Sequence, residues 1–384
     1  MTADARGFHA ADVGEIDAKV TTVSAMARAE GLAGILLSTQ HNFAWLTAGR
    51  HNRVDASRET GVAHLLVGAD GRRHVIANNI EADRMSSEVL VGLGFEAIEF
   101  PWAEERSDPS LVARTAARVL ERNSLGSDTG VGGSRLLEPL LTRVRSRLLP
   151  GEVLRYRALG ADASRVMGEV ARHVRRGQQE LDVARSLAAA LIQAEMRPIV
   201  LLAGADQRIA RYRHPVATTQ RWEQTLLLVA CVERHGLIVA LSRIVSSRHN
   251  PDLDARTRAC AEVFGRIASA TRDGASASSI FDAAQRAYAE AGHPGEERRH
   301  HQGGAIAYRS REWVAHQAST EIVAAPQAFA WNPSIAGTKV EETFLLHEDG
   351  HIELLTHDPA WPAVEVGVRG ASLPVPGVLT HHAA

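Results

Sequence analysis

The sequence predicts an α/β chain of two domains, a compact α/β unit followed by a larger α+β unit. Two observations lead there. Up to about Pro150, short apolar runs alternate with helical stretches, the pattern of a mixed sheet covered by helices. Beyond it, two long helical segments precede a strand-rich section. The length of 384 residues, 45% hydrophobic and 23% charged, is ordinary for a globular chain of two domains, placed at residues 1–152 and 153–384.

Taken in order, residues 16–31 read as a helix closed by Gly31, and residues 35–37 as a short strand followed by the apolar run Phe43-Ala44-Trp45-Leu46. Residues 64–67 and 74–77 flank the turn Ala69-Asp70-Gly71 as a hairpin. A helix over 81–93 and a strand over 95–100 complete the recognisable part of the first domain. In the second, helices span 154–175, closed by Gly177, and 179–193, which stops before Pro198. Residues 225–232 and 237–245 form an antiparallel hairpin around Glu233-Arg234-His235-Gly236. Asn250 caps the next helix with Pro251 in its first turn, and another runs from Ser278 or Ser279 to Gly292. Strands over 341–346 and 352–356 close the domain around Glu348-Asp349-Gly350, and the tail after Pro374 is expected to be mobile.

A net charge of −2 and a pI near 6.8 give no electrostatic basis for binding nucleic acid or an anionic membrane. No apolar run reaches spanning length, and the N-terminal stretch lacks the basic-then-apolar order of a secretory leader. Cys231 and Cys260 have no metal or redox spacing. A cytoplasmic protein is expected.

The stretch from Arg298 to Thr343 is where polar chemistry concentrates. Adjacent imidazoles His300 and His301 run into Gly303-Gly304, where backbone can pass close to a ligand. Beyond Asn332-Pro333, a period of two puts Lys339 and Glu341 on one face and Val340 on the other. Together the two pieces predict a polar cleft.

Several motifs occur in a recognisable order: EVLRYRALGADASRVMGEV, ARYRHPVATTQ, the 225–245 hairpin, HHQGG, AWNPSIAGTKVEET and the closing ELLT. They resemble the pita-bread catalytic domain of the M24 family, which holds methionine aminopeptidase, prolidase, aminopeptidase P and creatinase. The resemblance covers most of residues 153–360, and the first 150 residues look more loosely like the creatinase/prolidase N-terminal domain. The peptidases of that family bind two metal ions with two Asp, one His and two Glu, because two hard dications need much anionic oxygen nearby. Carried onto this sequence, the two Asp positions fall on Ala230 and Ala240, and the His on His301, or His300 if the register slips by one. The first Glu falls on Asn332, and only the second is kept, as Glu341. The resemblance thus implies neither metal nor other cofactor.

Creatinase is the family member that works without metal, and it resembles this chain in ALSRIV and in the His-Pro-Val of RYRHPVATT. Its general base, carried over, is His214. Ser242 stands where creatinase has an acid that holds the guanidinium, so creatine itself is not the expected substrate. His214, His301 and Glu341 are the candidate catalytic residues. Asn332, Lys339, Arg309, Tyr212 and Trp331 are the candidate substrate-binding residues, with Arg211 and Arg213 as further partners for a substrate carboxylate. The expected reaction is hydrolysis of a C–N bond in a small amino-acid-derived molecule. A metal-free lyase and a non-catalytic binding protein remain the alternatives. A homodimer is implied by creatinase and its relatives, with Arg50, His51 or Arg58 reaching the partner's cleft or simply exposed.

Overall fold

A computed structural model describes residues 10–381; the first nine residues of the stretch read as lacking a leader, and the last three of the tail, lie outside them. The chain divides into two compact units, one of residues up to 145 together with 149–152, the other of 146–148 together with 153 onward.

In the first unit, α1 (Ala10–Ala29) leads into β1 (Gly34–Thr39), whose every residue is buried. The run containing Phe43 and Trp45 is helical, α2 (Gln40–Leu46), because the Thr39 hydroxyl caps it by accepting from Asn42 N. Then follow β2 (Thr60–Gly68), β3 (Arg73–Asn78), α3 (Ala82–Arg84), β4 (Glu96–Phe100), α4 (Trp102–Ser107), α5 (Leu111–Val119), β5 (Leu125–Ser127), β6 (Arg135–Leu136) and α6 (Glu138–Ser146). The expected 81–93 helix is broken: after one turn it widens into a π-turn over Met85–Val89, ending at Leu90. The strands make one mixed sheet in the order β4-β3-β2-β1-β5-β6, parallel at both edges and antiparallel from β1 to β3.

The second unit follows α7 (Pro150–His173) with α8 (Glu180–Gln193), β7 (Arg197–Ala205), α9 (Gln207–Arg211), β8 (Thr225–Arg234), β9 (Leu237–Ser246), α10 (Pro251–Ala270) and α11 (Ala277–Glu290). Asn250 and Ser276 cap the last two through their side-chain oxygens. The remaining strands are β10 (Gly303–Ala305), β11 (Gln327–Trp331), β12 (Ser334–Ile335), β13 (Thr338–Lys339), β14 (Glu342–Leu346), β15 (Ile352–Leu354), β16 (Ala363–Val368), β17 (Ala371–Pro376) and β18 (Val378–Thr380).

Two four-stranded sheets dominate this unit, β18-β9-β8-β7 and β10-β11-β14-β15. Phe264 and Ile267 of α10 and Ile280 and Ala284 of α11 share one buried core with Phe329 and Phe344 on the second sheet and with Val340, just before β14. The sheets are stitched at Thr343, whose hydroxyl accepts from Ala240 N at 2.9 Å and donates to Ala240 O at 2.8 Å, and at Ser242 N, which donates to Glu341 O at 3.1 Å. That stitching sets Glu341 beside the hairpin. The tail expected to be mobile is built in: β17 pairs with β16, and β18 adds to β9 in parallel, so its backbone groups are satisfied by ladders.

Candidate functional site

A cavity of about 250 Å³ opens in the second unit. Val200 and Leu202 of β7 and Val229 and Cys231 of β8 form its apolar wall. His214, His301, Asn332, Lys339 and Glu341 converge on it together with Ser310 and Arg311.

His214 is held there by its flanks. Pro215 is buried against Gly204 so closely that a Cβ on that glycine would lie 2.3 Å from the proline ring, leaving room for no other residue. Glu180, fully buried at the start of α8, gathers both sides of the loop. It accepts from Ala205 N at 2.7 Å and from Thr218 N and Oγ1 at 2.8 Å each, and pairs with Arg208.

The imidazoles of His214, His300 and His301 cluster, with Nε2 of His214 and His300 3.0 Å apart. Two nitrogens at that distance share one proton, so one ring donates and the other accepts. Burial, and then the Lys339 ammonium, lower His214 below its usual value. Burial, then Lys339 and the neighbouring rings, push His300 down to about 2. Burial and Arg311, against the pull of Glu341, hold His301 at about 4 although the residue as a whole is exposed. All three are neutral at pH 7.

Glu341 is 1% exposed and flanked by two cations, Lys339 Nζ at 2.7 Å from one carboxylate oxygen and Arg311 Nη2 at 3.0 Å from the other. Burial alone would raise its pKa, but the two cations outweigh it and the net shift is downward. The Lys339 contact is an ion pair whose angle falls outside hydrogen-bond geometry. Glu342, facing the other way, pairs with Arg243 and accepts from Thr356 Oγ1 at 2.5 Å, a structural pair outside the cavity.

Several expected positions differ. Ala230 lies between Val229 and Cys231, so strand alternation turns its methyl away from the cavity. The hairpin face toward the cavity is Val229 and Cys231 with their ladder partners Ser242 and Ala240. Trp331 is fully buried, stacked on Phe329 with centroids 5.9 Å apart, and belongs to the core instead of the wall. Tyr212 is 42% exposed and lies against the guanidinium groups of Arg208 and Arg211, outside the cavity lining. Arg309 does not line the cavity either; Arg311, two residues on, does. Arg213 is engaged by Glu296 and by Ser334 Oγ. The glycines of HHQGG serve backbone packing: a Cβ on Gly303 would lie 2.1 Å from Ala330 O, and one on Gly304 2.0 Å from Trp313 O. Sequence reading missed Arg311 and the β7 wall, and neither carries a local signal, because each reaches the cavity from a separate element.

Residues 155–350 match metallopeptidase family M24. The chain belongs to this family. Among solved structures, the M24 chain is similar to dipeptidase PepE from Mycobacterium ulcerans, at 18% identity and TM-score 0.75 over 91% of this chain and 97% of that one. It is similar to an Xaa-Pro dipeptidase from Bacillus anthracis at 16% identity and TM-score 0.68, covering 90% and 98%. It is also similar to the N-terminal domain of FACT complex subunit SPT16 from chickpea, at 9% identity and TM-score 0.61, covering 90% and 97%. At such identities the likeness is one of fold. No curated protein sequence matches the chain.

The metal pair that M24 peptidases hold does not fit the residues of this cavity. From the hairpin it is lined by Val229 and Cys231, and their ladder partners Ser242 and Ala240 on the same face are likewise no carboxylates. Asn332 is an amide, and the one carboxylate in the lining, Glu341, is bound to two cations. Burial pushes the Cys231 thiol up to about 11, far from a thiolate ligand. Three neutral imidazoles are the only metal-like donor group among the described residues, and they have no anionic oxygen free to offset two dications.

Proposed function

We propose that this M24 member is a metal-independent, creatinase-like hydrolase that cleaves a C–N bond in a small amino-acid-derived substrate by histidine acid–base catalysis. The observation that carries this reading is the exchange at the cavity. Where a metal pair would need carboxylates, the hairpin lines the cavity with Val229 and the Cys231 thiol, while Lys339 and Arg311 supply positive charge to Glu341.

In this reading neutral His214 takes a proton from water as the water oxygen attacks the electrophilic carbon. The same proton then passes to the leaving nitrogen as the C–N bond breaks. His300, bonded through Nε2, fixes the orientation of the His214 ring. Asn332, 2% exposed and lining the cavity, donates its amide N–H to the developing oxyanion. His301 and the Lys339–Glu341–Arg311 group shape the binding end. A homodimer belongs to the same reading and is checked by light scattering.

The test is a screen of N-acyl, ureido and guanidino amino acids with chelator-treated protein, followed by turnover in ¹⁸O water. One labelled oxygen in the product per C–N bond broken is the expected result. Turnover without label would make the protein a lyase, and a strict need for added divalent metal would sink the reading.

A further inference from the structure

The cavity has a charge imbalance that says what it binds. Its lining contains two cationic side chains, Lys339 and Arg311, against a single carboxylate, Glu341. The three histidines beside it are neutral at pH 7 and do not redress the balance. One positive charge is therefore left over among largely buried side chains, where an uncompensated charge is costly.

Donor capacity is left over as well. Nε of Arg311 is buried with no hydrogen-bond partner, while Nη2 goes to Glu341. An ammonium carries three N–H donors, and Lys339 meets Glu341 only as an ion pair. Facing these donors across the cavity is the apolar wall of Val200, Leu202, Val229 and Cys231. The volume of about 250 Å³ lies just below the range of roughly 300–1,000 Å³ common for drug-sized ligands, which limits the occupant to amino-acid size.

We propose that the ligand of this cavity is a small monocarboxylate with a branched apolar group, its carboxylate held between Lys339 and Arg311 and its apolar part against Val200, Leu202, Val229 and Cys231. A monoanion neutralises the excess charge; a dianion such as phosphate overshoots it, and a cation adds to it. Glu341 is then no anchor for a cationic substrate, since each of its oxygens already meets a cation. The inference rests on the proposed function only in taking this cavity as the substrate site, and it places the scissile bond toward His214.

The test is binding without turnover. Titration calorimetry on the full chain after chelation compares isovalerate with its neutral isostere isovaleramide, with isoamylamine, acetate and inorganic phosphate; none of these demands hydrolysis. Isovalerate is expected to bind at least tenfold more tightly than each of the others, and Arg311→Gln and Lys339→Met to weaken it at least tenfold. The wild-type comparison stands even if either variant fails to fold. Equal binding of isovaleramide, preference for the amine or phosphate, failure of isovalerate to bind, or full binding by folded variants would overturn the proposal. A protein that binds isovalerate but turns over nothing keeps this inference and loses the hydrolase. One that hydrolyses only uncharged substrates does the reverse.

Discussion

Lys339 Nζ lies 2.7 Å from the Oε2 of Glu341, two residues along the same chain segment, with both side chains almost wholly buried. Arg311 holds the second oxygen from another loop. Removing the carboxylate strands two cations in a low-dielectric pocket. Glu341→Gln is therefore expected to destabilise the chain by about 3–5 kcal/mol, read from the urea midpoint. In the double variant Lys339→Met with Glu341→Gln much of that loss should return, because both partners of one pair are then gone.

Metal removal should change little. Dialysis against a chelator is expected to leave the melting temperature and any activity within error, and elemental analysis should find far less than one equivalent of transition metal. The reason is the donor set, since no carboxylate faces the cavity from the β8–β9 hairpin.

Acid should unfold this chain through its histidines. His300 and His301 have folded pKa values lowered to about 2 and about 4, against roughly 6.5 when unfolded. Between these limits the unfolded state binds more protons, so the stabilisation is complete above about pH 6.5 and is lost as pH falls. The buried His300 contributes a slope of about 1.4 kcal/mol per pH unit across its window, and the exposed His301 a smaller one because solvent screens it. Denaturation curves between pH 7 and 5 should show this slope, and His300→Gln should make it shallower. A slope unchanged in a folded His300→Gln protein would count against neutral burial of that ring.

His214 and Glu180 should separate chemistry from support. His214 is exposed, carries the proposed proton transfer and is bonded to the buried His300, so His214→Ala is expected to lower turnover about 10²–10⁴-fold and to cost about 1–3 kcal/mol for the His300 nitrogen left unpaired. Glu180 is buried and satisfies Ala205 N and Thr218. Glu180→Ala should destabilise by about 1–3 kcal/mol per donor left unpaired, and lower turnover through the loosened His214 loop.

At acid pH, turnover should fall with a single limb. Burial and Lys339 lower the His214 pKa, so its base form persists through neutrality and the limb lies below the ordinary imidazole value. A limb above pH 7 in kcat/KM would exclude His214 as the base.

Periodicity and turn chemistry were enough to read from the sequence the α/β fold class, the 225–245 hairpin, the Asn250-capped helix α10, and Lys339 and Glu341 on one face, while the start of α11, expected at Ser278 or Ser279, lies at Ala277 with Ser276 as its cap. These are local properties: a period of two, an Asn-Pro cap and a four-residue turn act within a few residues of chain. The cavity wall was different. Val229, not Ala230, faces the polar groups, because the phase of a strand relative to a neighbouring sheet is set by partners far away in the chain, here the Thr343–Ala240 stitching. Arg311 rather than Arg309 reaches Glu341, Trp331 goes into the core, and the tail closes a sheet through β18, each for the same reason. The sequence by itself determined which residues were available and how each element would run; tertiary packing decided which of them meet, because burial and charge pairing depend on neighbours that no stretch of sequence contains.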